Sequence, residues 1–547
     1  MSKKLSLTML SLAVMITSCG RDDIETALNE ITADRLREHV ARLSDDIMEG
    51  RGPATRGDTL TTEYIVGQYR SLGLVPAGEN GGYLQKVPIV GTTIDHSAVL
   101  EIKKGNQVQR LKFSDEFVAF TGTYQPVVTV KDADIVFVGY GIVAPEQDWD
   151  DYKNVDVRGK VLLMMNNDPA GDDVKFFGGK ARTYYGRWTY KYEIAAKKGA
   201  IGAIVIHTTE SAGYPYQVVQ TSWSRENFDL ASDGGDGVKL KAWTTEDATK
   251  KYLSMAGYDL AELMKSAEEK SFKPVPLGLK VSTTMKYSIR TLETNNILGV
   301  LEGSDPELQS QYIVFSAHHD HLGVGTPVDG DSINNGALDN ASGTSLMLNL
   351  ARAFAAMPVK PKRSLLFAAV AAEESGLLGS KHFAQNPTVP IKDMAANINT
   401  DGLNIWGRTN DIVFLGWDRS TLQQDVDAVA AEMKMSVKPD PFPERGYFYR
   451  SDHFNFAKVG VPCLSMESGT DYVGKPADYA KQMVDAYTEK NYHQPSDELT
   501  PDWNFDGGLQ QGEFIVRLTM RIANTPEMPA WNKVDEFEAA RLKALGQ

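Results

Sequence analysis

The chain has 547 residues, 42% of them hydrophobic, with 57 basic and 72 acidic side chains and a formal net charge of −15 at pH 7. That length allows two or three domains with sizeable cores, and the composition is that of an ordinary globule without low-complexity bias. The acidic balance, with a pI near 5.2, argues against nucleic acid or an anionic membrane surface as partner, since both repel a polyanion.

Residues 1–19, MSKKLSLTMLSLAVMITSC, place two lysines before a short apolar segment and small residues before Cys19. This is the pattern of an export signal, too short for a membrane span. Ile16, Thr17, Ser18 and Cys19 also resemble the bacterial lipobox, whose cysteine is acylated and becomes the mature N-terminus. The expectation is an exported protein lipid-anchored to a bacterial membrane through Cys19, on the periplasmic or cell-surface side. The only other cysteine is Cys463, in the apolar run VGVPCLSM. An exported chain with this cysteine count has no disulfide framework and must stand on its core. Cys463 itself reads as a small buried hydrophobe.

Residues 24–80 carry helical signals. ITADRLREHVARLSDD offers Thr32 as a cap and Leu36, Val40 and Leu43 at helical spacing, and DTLTTEYIVGQYRSLGL repeats the pattern up to Gly73. Between them DDIMEGRGPATRGD is a Gly-rich polar loop, and residues 83–128 alternate in the manner of strands. From Asp132 the texture changes. DADIVFVGYGIV and GKVLLMMNND read as strands, and YEIAAKKGAIGAIVIHT as a helix followed by a strand. The aromatic run TYYGRWTYKY, which holds Lys191 and precedes a helix, reads as a packing surface or the rim of a cleft.

NNILGVLEG and QYIVFSAHHD then read as adjacent strands joined by the turn-rich GSDPELQS. The second delivers His318, His319, Asp320 and His321 at its end, and a Gly/Asn-rich loop brings in Asp339 just ahead of a helix over Ser342 to Ala356. Open α/β sheets build sites in this way, beyond the carboxyl ends of their strands. Three later stretches repeat the design: SLLFAAVAAEES ends in Glu373 and Glu374, ANINTDGLN in Asp401, and NYHQPSDEL offers His493 in a loop. Each feature alone has a bland reading, respectively a solvated acidic pair, a polar turn and a helix N-cap. The Glu pair, however, follows a run that reads as a buried strand, and all the features occur in one order. Imidazole and carboxylate ligands without thiolate suit zinc or another borderline divalent ion in a hydrolytic site.

Further on, GYFYRSDHFNFAKVGVP supplies Tyr447 and Tyr449, candidates to hydrogen-bond a developing oxyanion, and Asp452 and His453, read either as a pocket wall or as a helix cap. Residues 469–490 read as a loop and helix lining an entrance, and the tail PEMPAWNKVDEFEAARLKALGQ as a terminal helix without chemistry. Strand and helix alternate to about residue 525, which gives an α/β fold with a sheet covered by helices on both faces.

HHD, LDNASG, AAEESGLLGS, NTDG and YHQPSDE, in this order, resemble the M28 family of co-catalytic zinc aminopeptidases. GKVLLM and AAKKGAIGAIVI resemble the protease-associated (PA) domain, a non-catalytic insert of several peptidase families. The resemblance implies a mixed α/β sheet of the zinc aminopeptidase type with an inserted, mainly β, PA domain. The catalytic domain would occupy residues 24–129 and 286–547, and the insert residues 130–285. It further implies two zinc ions bridged by Asp339, one also held by Glu374 and His493, the other by His318 and Asp401. Glu373 would be the general base, Asp320 would orient His318, and the reaction would be hydrolysis of the N-terminal bond of peptides. PA-bearing relatives also include carboxypeptidases and dipeptidases, a reading that an arginine cluster beside the substrate carboxylate would favour. A catalytically silent binding protein should lack part of the ligand set, and this chain has all of it. A glutaminyl cyclase, an acyl transferase of the same fold, uses a single zinc.

Overall fold

The computed structural model describes residues 23–547 apart from 170 and 174, so the lipobox Cys19 lies outside the described residues. Thr32 caps the helix Ala33–Leu43, its side chain accepting the Arg35 N–H at 3.3 Å, and Leu36, Val40 and Leu43 are buried as their spacing requires. The next helix runs from Arg56 to Ser71 and gives way at Gly73.

The central sheet is built from β1 (Leu84–Ile94), β2 (Val275–Leu301), β3 (Tyr312–His318), β4 (Ser364–Val370), β5 (Met394–Thr400), β6 (Asp411–Leu415), β7 (Ser436–Lys438) and β8 (Cys463–Glu467). Its order is β1, β2, β4, β3, β5, β8, β6, β7, with β4, β3, β5 and β8 mutually parallel and β2 and β6 antiparallel to their parallel neighbours. The parallel strands are buried along nearly their whole length, as expected of strands with helices on both faces. Helices Gly343–Ala356 and Asp506–Asn524 pack their apolar side chains, among them Leu346, Leu350, Phe514 and Leu518, into one core with Phe315 and Phe367.

One expectation fails here. β2 and β3, consecutive in sequence and read as adjacent, are separated by β4. A parallel strand needs a long crossover before it can return to the sheet. The helix Gly343–Ala356 provides it, so β4 comes back between the two strands that GSDPELQS joins.

A second core lies beside the first. Strands Val99–Lys104, Phe117–Phe120, Val127–Phe137, Val161–Met165, Gly202–His207 and Leu240–Thr245 pair around it, and Phe137, Leu163, Ile204 and Trp243 fill it. Residues 99–120, placed by the sequence reading in the first catalytic segment, have their strands in this second sheet. Strand β2 belongs to both: Val275–Lys286 pair in the second sheet, and Tyr287–Leu301 pair with β1 and β4 of the first. The two modules are stitched again where strand Asn227–Leu230 adds to the edge of β1. Among the described residues no helix is long and apolar enough to cross a membrane.

Candidate functional site

The side chains singled out in the sequence meet beyond the carboxyl ends of β3, β4 and β5. His318 ends β3, the Glu373–Ser375 turn follows β4, and Asp401 follows β5. Asp339 enters from the loop before helix Gly343–Ala356, and His493 from the loop after helix Tyr479–Lys490. His318 Nε2 stands 3.3 Å from Asp339 Oδ1 and 3.2 Å from Asp401 Oδ1. His493 Nε2 stands 3.3 Å from Asp339 Oδ2 and 3.0 Å from Glu374 Oε2.

The donor atoms of His318, Asp339 and Asp401 lie within 4.8 Å of one another, and so do those of His321, Asp339 and Glu374. Asp339 belongs to both groups, so each of its oxygens can serve a different ion. His321, which the sequence left without a role, brings Nδ1 to 2.6 Å from Glu374 Oε1. Imidazole and carboxylate oxygen in two adjoining groups fit a pair of divalent ions. So does the charge: Asp339, Glu373 and Asp401 line one cavity with His493, and Glu373 and Glu374 line the recess that adjoins it.

The electrostatics follow from burial. Burial and Glu374 push the Asp339 carboxyl up, but hydrogen bonds with His318 and His493 outweigh them and hold it below the ordinary carboxylate range. Burial depresses the His493 imidazole, yet Glu374 and Asp339 lift it to about 9. Glu373 goes the other way: burial raises its carboxyl well above the ordinary value, with Glu374 and Asp401 adding to the effect and His318 opposing it. At Glu374 burial acts the same way, but His493 and His321 outweigh it and hold that carboxyl below the ordinary value, so the adjacent glutamates are pushed in opposite directions by what each faces.

Several groups hold these loops in place that the sequence reading did not name. Arg51 is buried and donates to the carbonyls of Leu43 (2.7 Å), His319 (2.9 Å), Asn335 (2.6 Å) and Gly336 (2.9 Å), clamping the loops that carry His318 and Asp339. Asp497 accepts the backbone N–H groups of Leu338 (3.1 Å) and Asp339 (3.0 Å). Asn340, joined to Asp339 by a cis peptide, donates to Thr400 O and accepts from Gly343 N and Gly402 N, which ties the Asp339 loop to the Asp401 loop. Position 343 must be glycine, because a Cβ there would sit 2.2 Å from Asn340 Oδ1 and 2.4 Å from Thr400 O.

Asp320 is fully buried. Its carboxylate accepts the Glu373 N–H at 3.1 Å, and its backbone carbonyl, at 3.2 Å, is nearer His318 Nδ1 than its carboxylate, at 3.8 Å. It therefore fastens the Glu373 turn to the His318 loop.

A cavity of about 230 Å³ opens beside the cluster, reaching Asp339, Glu373, Asp401 and His493, with Leu403, Trp406, Tyr447, Met466 and Tyr487 among its walls. The second module contributes Tyr214 to it, and Arg187 and Trp188 to an adjoining recess that also holds Glu373, Glu374, Arg450 and Tyr492. Of the tyrosines singled out, Tyr447 reaches the cavity. Tyr449 does not: its hydroxyl donates to Glu536 Oε1 at 2.7 Å, and it faces a different cavity. Asp452 and His453 are fully buried and form no part of the cavity wall. Burial raises the Asp452 carboxyl to about 7, and His453 packs its ring on Phe448 at 4.9 Å. Tyr492 was missed, though it is the sequence neighbour of His493 and its ring lies 4.0 Å from that imidazole.

Residues 296–511 match the model of peptidase family M28. Over 106 residues the chain is 40% identical to a probable zinc metalloprotease of Pyrenophora tritici-repentis (strain Pt-1C-BFP), covering 19% of this chain and 23% of that protein. Over 176 residues it is 30% identical to leupeptin-inactivating enzyme 1 of Streptomyces exfoliatus, covering 31% of this chain and 38% of that one. The matched region thus spans well under half of either relative. In fold the chain is similar to an aminopeptidase from Aneurinibacillus sp. strain AM-1, with a TM-score of 0.55 and 20% identity over 94% of this chain and 98% of that one.

Proposed function

We propose, from the peptidase family M28 domain that this chain carries over residues 296–511, that it is a dinuclear zinc aminopeptidase acting on peptides. The observation that carries the reading is the pair of three-donor groups that share Asp339. His318 and Asp401 would hold one ion, and Glu374 with His493 or His321 the other. Zinc bound there supplies Lewis acidity, polarising a scissile carbonyl and acidifying a water.

The chain's own groups do the rest. Glu373, which lines the cavity beside Asp339 and Asp401, takes the proton of the attacking water and returns it to the leaving amine. Tyr492 lines the recess with Glu373, and its hydroxyl, which accepts from Arg450 Nη2 at 3.3 Å, donates to the developing oxyanion. The walls of Leu403, Trp406, Met466 and Tyr487 take the first side chain of the peptide. Glu373→Gln tests the base: turnover should fall about 10³-fold with two zinc ions still bound. Asp339→Asn should lose metal and activity together. Full activity in Glu373→Gln contradicts the assignment.

A second reading is favoured by Arg187 and Arg450. Both line the recess that holds Glu373, and among the described residues neither forms an ion pair. Arg450 donates to the Tyr492 hydroxyl at 3.3 Å and Arg187 feels the Glu373 charge, but two guanidinium groups in one recess suit a substrate carboxylate, as a carboxypeptidase or dipeptidase would present. A carboxypeptidase would cleave an N-acetylated peptide and spare its C-terminal amide, whereas a dipeptidase would need both termini free. We propose further that acylation at Cys19 anchors the chain to a bacterial membrane and that the second module is a PA domain. Palmitate incorporation that survives Cys19→Ser contradicts the anchor.

A further inference from the structure

We propose that Ser222, which comes from the second module, is a positioning residue for His493 and fixes the ring tautomer that leaves Nε2 free to bind metal. The inference rests on the metal-site reading above.

Ser222 lies in the last turn of helix Tyr216–Trp223 and outside the segment 296–511 that matches the peptidase model. Its Oγ stands 2.9 Å from His493 Nδ1. A serine hydroxyl has one proton to donate and lone pairs with which to accept. That proton is committed to the Val218 carbonyl, 2.7 Å away one helical turn earlier. Oγ therefore meets the imidazole as an acceptor, and Nδ1 carries the hydrogen. A metal ion displaces the Nε2 proton, and the neutral imidazole that then binds it has one donor and one acceptor nitrogen, so with Nδ1 as the donor the lone pair is on Nε2. Nε2 is the atom that approaches Glu374 Oε2 at 3.0 Å and Asp339 Oδ2 at 3.3 Å. The opposite tautomer would set a lone pair against an oxygen with no proton to give and point an N–H at the ion.

The contact is built into a wider seam between the modules. Thr221 Oγ1 accepts from Gln494 Nε2 at 3.2 Å, and Arg225 Nη1 donates to Leu322 O at 2.9 Å. Tyr492 covers the other face of the ring, and His493 is left 8% exposed. Both flanks of Ser222 are thus fastened to loops that carry site residues. A metal-bound histidine usually gives its second N–H to a carboxylate, a carbonyl or water, and removing such a partner costs about 10–100-fold in metal affinity. Here a hydroxyl from the inserted module takes that place.

The test is zinc affinity of the metal-free full-length chain, measured by competition with a chelator, for wild type, Ser222→Ala and Ser222→Thr. Ser222→Ala should weaken one of two zinc ions by about 10–100-fold and leave the other unchanged. Ser222→Thr keeps the hydroxyl and should restore the affinity to within a few-fold. Two ions bound by Ser222→Ala with wild-type affinity would overturn the proposal and leave the metal site standing. A wild type that takes up no zinc would overturn the metal-site reading itself. Should the alanine variant fail to fold, nitrogen-15 NMR of histidine-labelled, zinc-loaded wild type decides: a hydrogen on His493 Nδ1 is expected, and one on Nε2 refutes the assignment.

Discussion

The carboxylate of Asp497 accepts the backbone N–H of Asp339 at 3.0 Å and that of Leu338 at 3.1 Å. The residue that both three-donor groups share is therefore held from 158 positions further along the chain. Asp497→Ala would leave two buried N–H groups without an acceptor, at a cost of about 2–4 kcal/mol. Asn at this position keeps one acceptor oxygen and should lose about half as much. Urea unfolding of the metal-free protein measures this, and an alanine variant as stable as wild type contradicts it.

Tyr492 and Tyr449 should respond differently to loss of their hydroxyls. Tyr492 shares a recess with Glu373, Glu374 and His493, so Tyr492→Phe should lower kcat about 10²-fold, as loss of an oxyanion donor does, with KM changed only a few-fold. The Tyr449 hydroxyl is engaged by Glu536, so Tyr449→Phe should turn over at close to the wild-type rate. Steady-state kinetics on one peptide compares them, and equal losses would contradict the assignment.

His39, buried in the first capped helix and belonging to neither three-donor group, carries a pH dependence. Burial, reinforced by Arg352 and Arg35, lowers its imidazole from the ordinary 6.5 to about 4. As pH falls, the unfolded chain takes a proton near 6.5, whereas the folded chain resists until about 4. Stability from this group is thus complete above 6.5 and lost between 6.5 and 4, about 2 kcal/mol of it by pH 5. Unfolding free energies at pH 7 and pH 5 should differ less in His39→Gln than in wild type by that amount. Identical differences in the two proteins would refute the shift.

That these side chains come together was legible in the sequence because they punctuate apolar runs. Buried strands β3, β4 and β5 end in His318, the Glu373–Glu374 pair and Asp401, so period and position coincide. What supports the ligands was not legible. Arg51 sits in a Gly-rich loop and meets carbonyls 268 to 285 residues away, a relationship without local period. Ser222 lies in another module altogether. The neighbour of β3 was misread because chain order is a poor guide to sheet order once a crossover helix intervenes. Tyr492 had a signal, adjacency to His493, whereas Tyr449 had only an aromatic-rich phrase, and its hydroxyl is engaged by the C-terminal tail.

The most direct test of the central claim is hydrolysis of one peptide with a free N-terminus beside its N-acetylated twin, with and without chelator, on the chain after Cys19. A zinc aminopeptidase should cleave the free form alone, with the cleavage abolished by chelator and restored by zinc. Cleavage of the acetylated twin from its carboxyl end would move the assignment to Arg187 and Arg450 and a carboxypeptidase. Cleavage of the free form that survives chelation would contradict the metal site itself.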